Sequence, residues 1–158
     1  MNTQNISIPA IELKVSTWLN TDKPIKLDEL LGRVVVIHTF QMLCPGCVSH
    51  GLPQALKIRN TFSESDVVVL GLHTVFEHHS VMGQEALKVF LDEYRIHFPI
   101  GIDQAGIDSN IPLTMQAYNL RGTPSLILID RKGCIRLEHF GVIDDMLVGA
   151  HIGRLLFE

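Results

Sequence analysis

Unbroken apolar runs alternate with amphipathic stretches along this chain, and that alternation sets its expected elements. Residues 33–40 are apolar on both parities up to His38 and rich in β-branched side chains, the pattern of a strand buried on both faces. Residues 66–72 repeat it. Between them, residues 48–62 read as a helix that Pro53 should kink or divide, with Gly51 a second weak point. Two apolar strands joined by a helix predict a parallel, right-handed βαβ unit. Residues 73–83 then form a polar loop. Leu87, Phe90, Leu91 and Tyr94 recur at helical spacing, so a helix is expected over 84–94. A short strand follows at 98–102 and a helix opened by Pro112 at 112–118. Strands at 125–129 and 134–140, separated by Asp130-Arg131-Lys132-Gly133, predict an antiparallel hairpin. An amphipathic helix over 143–157 closes the chain, with Asp144 and Asp145 suited to its first turn.

The first 20 residues carry spaced isoleucines, leucines and valines and read as an extended arm ending in a strand at 16–19. Asn20-Thr21-Asp22-Lys23-Pro24 is a turn cluster, after which a short strand at 24–27 is expected to pair back as a hairpin. One helical turn at 28–31, closed by Gly32, precedes the first core strand. The order is β-α-β-α-β-α-β-β-α behind a small N-terminal hairpin extension. It implies an α/β fold: a parallel sheet that gains antiparallel strands at one side, with helices on both faces.

At 158 residues the chain fits a single domain, 1–158, long enough to bury about 70% of its unfolded surface without a disulfide. The net charge is −4 and no basic stripe is present, so a nucleic-acid partner is not expected. No apolar run approaches the roughly 18 residues of a membrane span. No basic segment followed by an apolar one opens the chain, so no signal peptide is expected and the compartment expected is the cytoplasm.

Three cysteines change the picture: Cys44, Cys47 and Cys134. An odd count is poor material for a secreted disulfide framework. Cys44-Pro45-Gly46-Cys47 falls where a buried strand gives way to a helix. A helix N-terminus offers unsatisfied N–H groups and a partial positive charge, and both favour thiolate over thiol. The use of such a pair is the reversible making and breaking of a disulfide. A structural disulfide or half of a zinc site is the alternative, but a zinc site wants four ligands and no second Cys-x-x-Cys is present.

Residues 34–47, Gly122-Thr123-Pro124 and residues 126–133 together resemble the thioredoxin-like superfamily. The most similar branch is that of TlpA/ResA-type thiol–disulfide oxidoreductases, within the AhpC/TSA redoxin group. Thr39-Phe40 before the cysteines and Leu27-Asp28-Glu29-Leu30-Leu31-Gly32-Arg33 before the first core strand are similar to that branch, as is Thr-Pro followed by an apolar strand, Ile-Asp and a Lys-Gly turn. The resemblance implies a thioredoxin-like fold with a mixed central sheet. It makes Cys44 the nucleophile and Cys47 the resolving thiol, with Pro45 and Gly46 tuning the turn between them and, with Thr123 and Pro124, expected to bind substrate. It implies that Pro124 is cis and abuts the disulfide, so that Thr123 offers its backbone to an extended substrate.

Three departures stand out. Leu43 replaces a tryptophan common in the family, and Pro53 lies six residues after Cys47 rather than five. His38 stands where Asp or Asn is usual; in the family's superposition it would lie beneath Cys47, where it could exchange that thiol's proton. The resemblance implies a protein or small-molecule disulfide client, a thioredoxin or glutathione system as electron donor, and no cofactor or metal. Glu77, His78 and His79 are expected in a loop at the rim, Arg121 as a loop charge, and Cys134 as a bystander. Two other functions compete. A thiol peroxidase would need Pro-x-x-x-Thr/Ser-x-x-Cys, and neither cysteine fits. A copper-binding redoxin would use the cysteines with His38 or His73.

Overall fold

The computed structural model describes residues 8–158; the part of the extended arm expected over residues 1–7 lies outside the described residues. In chain order the elements are β1 (Ile8–Pro9), β2 (Val15–Leu19), β3 (Val34–Phe40), α1 (Leu52–Thr61), β4 (Val67–His73), α2 (Gln84–Glu93), β5 (Ile100–Asp103), α3 (Leu113–Ala117), β6 (Ser125–Ile129), β7 (Cys134–Phe140) and α4 (Asp145–Leu156). Short 3₁₀ turns occupy Leu27–Leu30 and His79–Val81, and a π-turn occupies Cys47–Gly51.

All seven strands join one sheet, in the order β1-β7-β6-β3-β4-β5-β2. The three strands of the βα repeats, β3, β4 and β5, run parallel. β6 lies antiparallel on the other side of β3, and β7 antiparallel to β6. Every residue of β3, β4 and β6 is buried, as continuous apolar runs demand of central strands.

The parity of β3 divides the core. Val34, Val36 and Phe40 join Leu52, Ala55 and Ile58 of α1, Leu87 and Leu91 of α2, and Val148, Ile152 and Leu155 of α4. Val35 and Ile37 face Met115 of α3, Tyr118, and Leu27 and Leu30 of the first 3₁₀ turn. His38 belongs by parity to the first face, the side on which the cysteine-bearing helix packs.

Two expectations need correction. Residues 24–27 form no strand, and the N-terminal strands form no hairpin: β1 pairs with β7 at one edge and β2 with β5 at the other. The Leu27 N–H is taken by the Glu12 carboxylate at 2.9 Å, so that backbone serves a side chain and not a ladder. β2 finds its place at Gly101, where a Cβ would come within 2.9 Å of Val15 and 3.4 Å of the Trp18 ring. Antiparallel strands therefore border the parallel core on both sides, not one.

Candidate active site

β3 ends at Phe40, and the chain turns through Gln41, Met42 and Leu43 into helix. The Cys44 carbonyl accepts the Val48 N–H at 3.1 Å, which makes Cys44 the N-cap residue. Pro45 takes the first helical position, where a backbone N–H would go unused. The Cys44 sulfur accepts the Cys47 N–H at 3.3 Å, the contact an N-cap side chain makes. That donor and the helix N-terminus both favour a thiolate at Cys44 once the pair is reduced. The two cysteines form a disulfide with a Cα–Cα separation of 5.2 Å, within the usual range. Cys44 is half-buried and Cys47 has no exposed surface. The expected division into an accessible nucleophile and a sheltered partner therefore has its geometry.

Beyond Cys47 the helix widens into the π-turn, in which the Leu52 N–H reaches back to the Cys47 carbonyl. Pro53 has no N–H to offer the preceding turn, so the ladder changes there. The first helical segment thus ends at Gly51, just before Pro53, while helical backbone continues through the proline to Thr61.

Pro124 comes from far along the chain. Its bond with Thr123 is cis, and the Thr123 carbonyl oxygen lies 3.5 Å from the Cys44 sulfur. A Cβ on Gly46 would meet Pro124 Cδ at 3.3 Å, and one on Gly51 would meet Pro124 Cβ at 3.2 Å, so the proline ring packs on two glycines. Thr39 fixes the next residue from across β3 and β6. Its hydroxyl accepts the Ser125 N–H at 3.1 Å and lies 3.3 Å from the Ser125 carbonyl, to which it can donate. The Pro124 carbonyl accepts the Gly141 N–H at 2.8 Å. Pro45, Gly46 and Thr123, the residues expected to meet substrate, border Cys44 with exposed or half-exposed surface, and Leu43 beside them is 60% exposed. Pro124 itself is buried.

His38 is 2% exposed and neither ring nitrogen has a hydrogen-bond partner. Burial lowers its pKa to about 4, partly opposed by the Asp145 carboxylate. Its Nδ1 lies 3.8 Å from where a side chain on Gly51 would begin.

Sequence reasoning gave Gln41 no role in the site and named His73 only as a copper ligand in a competing reading. Gln41 is buried, and its side-chain carbonyl accepts the Phe76 N–H at 3.2 Å. Its amide reaches Thr123 Oγ1 at 3.4 Å and Glu77 Oε1 at 3.5 Å, so it ties the cysteine turn to the proline loop and the loop after β4. His73, the last residue of β4, accepts the Met42 N–H on Nε2 at 3.3 Å, and burial lowers its pKa to about 4. The available signal was polarity: Gln41 and His73 are polar residues at the ends of apolar runs.

Of the rim residues, Glu77 and His78 are exposed, and Arg121 lies with its guanidinium 5.5 Å from the centre of the Phe140 ring. Cys134 is a free thiol in β7, opposite Pro9. Among the described residues no group of three or more His, Cys, Asp or Glu is placed to hold a metal ion.

The sheet, the cysteine pair at the helix start and the cis-proline loop against it define a thioredoxin-like protein with a Cys-x-x-Cys redox centre. The AhpC/TSA family profile matches residues 6–138, and the chain belongs to that family. It is similar over 96% of its length to a thioredoxin-like superfamily protein of known structure, with 54% identity, a TM-score of 0.94 and 98% of that chain covered. It is also similar to a thiol-disulfide isomerase from Corynebacterium glutamicum, with 53% identity, a TM-score of 0.92, and 95% and 97% of the two chains covered. The protein DipZ of Mycobacterium tuberculosis is 30% identical over 90% of this chain, which spans 20% of DipZ. The thiol-disulfide oxidoreductase ResA of Halalkalibacterium halodurans is 28% identical over 78% of this chain, which matches 63% of ResA.

Proposed function

We propose that the protein is a thiol–disulfide oxidoreductase that reduces client disulfides through the Cys44–Cys47 pair. The observation that carries this reading is the pair itself: an accessible sulfur at a helix N-cap, bonded to a buried one, with the proline loop alongside. The names of the relatives, ResA and the C. glutamicum isomerase among them, support the reaction class.

The Cys44 thiolate attacks a client sulfur, and the client's other sulfur leaves as a thiolate. His38 accepts the Cys47 proton. Cys47 then attacks the Cys44 sulfur, and the second client sulfur departs with the electron pair. Two electrons have passed to the client, and the Cys44–Cys47 disulfide is restored to reduction by a thioredoxin or glutathione system. Thr123, Pro45 and Gly46 form the surface on which the client lies, and the buried Pro124 holds Thr123 beside Cys44. His38 is open to this part because it faces the helix side of the sheet and neither ring nitrogen has another partner, although burial lowers its basicity. The reducing direction goes with a cytoplasmic protein.

A redox titration against glutathione, read by thiol labelling and mass, tests the reading. A two-electron couple lost in Cys44→Ser is expected. Cys47→Ser should accumulate a mixed disulfide at Cys44. A pair that stays oxidised throughout the titration overturns the proposal.

A further inference from the structure

Four neighbouring strands, β7, β6, β3 and β4, bring their ends to the rim that carries Cys44: Phe140 pairs with Ser125, Ser125 with Thr39, and Phe40 with His73. Charges of opposite sign are anchored at the two ends of that row. On the β7 side the Arg121 guanidinium lies 5.5 Å from the centre of the Phe140 ring. That ring packs on Gly122, where a Cβ would come within 2.9 Å of it. On the β4 side Glu77 follows the strand, and its carboxylate accepts the Gln41 amide at 3.5 Å. The same buried amide reaches Thr123 Oγ1 at 3.4 Å, so the acidic group is tied to the cis-proline loop. Arg121 and Glu77 are both exposed. Between them stand Leu43, Pro45, Gly46 and Thr123, which carry no charge, and the Cys44 sulfur, 3.5 Å from the Thr123 carbonyl.

We propose that Glu77 and Arg121 are specificity-determining residues that orient the client: the protein prefers a disulfide whose reactive cysteine lies in an extended segment with a basic residue on one side and an acidic residue on the other. The inference deepens the reading above and rests on Cys44 attacking a client disulfide. Three strand spacings separate the ends of the row, about 14 Å, and an extended chain rises about 3.3 Å per residue. The two charges therefore suit client residues about four apart, with the cysteine midway between them. Each contact is exposed, so each contributes modestly and is screened by salt. Together they discriminate, because a segment with its charges in the reverse order sets like charges against each other at both ends. An uncharged rim would hold either order equally.

Three peptides test this, each with a single cysteine in mixed disulfide with 2-mercaptoethanol. One has lysine two residues before the cysteine and aspartate two after, one has the reverse order, and one has alanine at both places. The reduced protein is mixed with each at low salt, and consumption of the peptide disulfide is followed by acid quench and mass. The Cys44–Cys47 pair is oxidised, and peptide and mercaptoethanol leave as thiols with its two electrons and two protons. The two charged peptides should differ about fivefold in rate constant, with the neutral one between them, and the difference should shrink at high salt. Glu77→Lys combined with Arg121→Glu should reverse the preferred order, which a merely structural effect of either change would not do. Glu77→Gln and Arg121→Gln, each alone, should leave a preference of about twofold. All four substitutions fall on exposed side chains, away from the core. Equal rates for the two orders, a difference that high salt leaves intact, or a preference that survives the double charge reversal overturns the inference. If none of the three peptides oxidises the pair, it is the reading beneath that fails.

Discussion

The meeting of Pro124 with the cysteine helix depends on two missing methyl groups. Gly51 has helical dihedrals, φ −60° and ψ −55°, so its backbone would suit alanine. Exchanging glycine for alanine inside a helix ordinarily stabilises by about 1 kcal/mol. At Gly51 the added carbon would stand 3.2 Å from Pro124 Cβ, closer than packed carbons settle, and 3.8 Å from His38 Nδ1. Gly149 in α4 has nothing within 4 Å of the same position. Gly149→Ala should therefore raise stability by about 0.5–1 kcal/mol in urea unfolding. Gly51→Ala should gain nothing and should slow the reaction of Cys44 with glutathione disulfide, since the proline loop must shift. A Gly51→Ala protein that gained as much as Gly149→Ala, with unchanged thiol reactivity, would show that Pro124 does not press on this helix. At this scale the sequence was informative about the cysteines, whose chemistry is local, and about Pro124 only through the family resemblance. It was silent about Gln41, whose partners Phe76, Glu77 and Thr123 lie 35 or more residues away.

Elements were legible where their pattern is their own, and illegible where a distant partner decides them. β3 and β4 are apolar throughout and were placed to within a residue or two. α2 carries its own helical stripe. The segment after β2 has strand-like residues, but its fate is decided by Glu12, which takes the Leu27 amide, and by Gly101, which gives β2 a place at the other edge. The π-turn after Cys47 was visible only as a proline in a helical run. α3, five residues long, shows how an outside group holds a short element. The Asp103 carboxylate at the end of β5 accepts the Thr114 N–H at 2.8 Å, the Met115 N–H at 3.1 Å and the Thr74 hydroxyl at 2.8 Å. Burial raises its pKa, and these three donors oppose that. Asp103→Ala leaves two buried N–H groups without acceptors and should cost about 3 kcal/mol. Urea unfolding measures the loss. Amide exchange should quicken first at Thr114 and Met115; a protein whose exchange there is unaltered would show that α3 does not depend on this carboxylate.

Across the whole molecule, one sheet with a core on each face places two neutral histidines among apolar side chains, and this ties stability to pH. His38 and His73 sit on adjacent central strands, and burial lowers each from the ordinary 6.5 to about 4. As the pH falls through 6.5 the unfolded chain takes up a proton at each histidine, whereas the folded chain does not until about 4. Stability is therefore full above about pH 6.5 and declines between there and about 4, at about 1.4 kcal/mol per pH unit for each histidine. By pH 5 that is about 2 kcal/mol apiece, a large part of the 5–15 kcal/mol that holds a domain of this size together. The other shifted carboxyl groups act lower. Asp130, Asp145 and Glu158 have lowered pKa values, and their contribution is lost only as the pH falls below the ordinary carboxylate range near 4. Asp103 and Glu138, raised by burial, work the other way, since their folded carboxyls take a proton before their unfolded ones do. Urea midpoints at pH 7, 6 and 5 should thus fall steeply. His38→Gln and His73→Gln should each flatten the fall by about half, whatever they do to stability at pH 7. A midpoint that holds from pH 7 to 5 would mean that both imidazoles carry protons inside the fold.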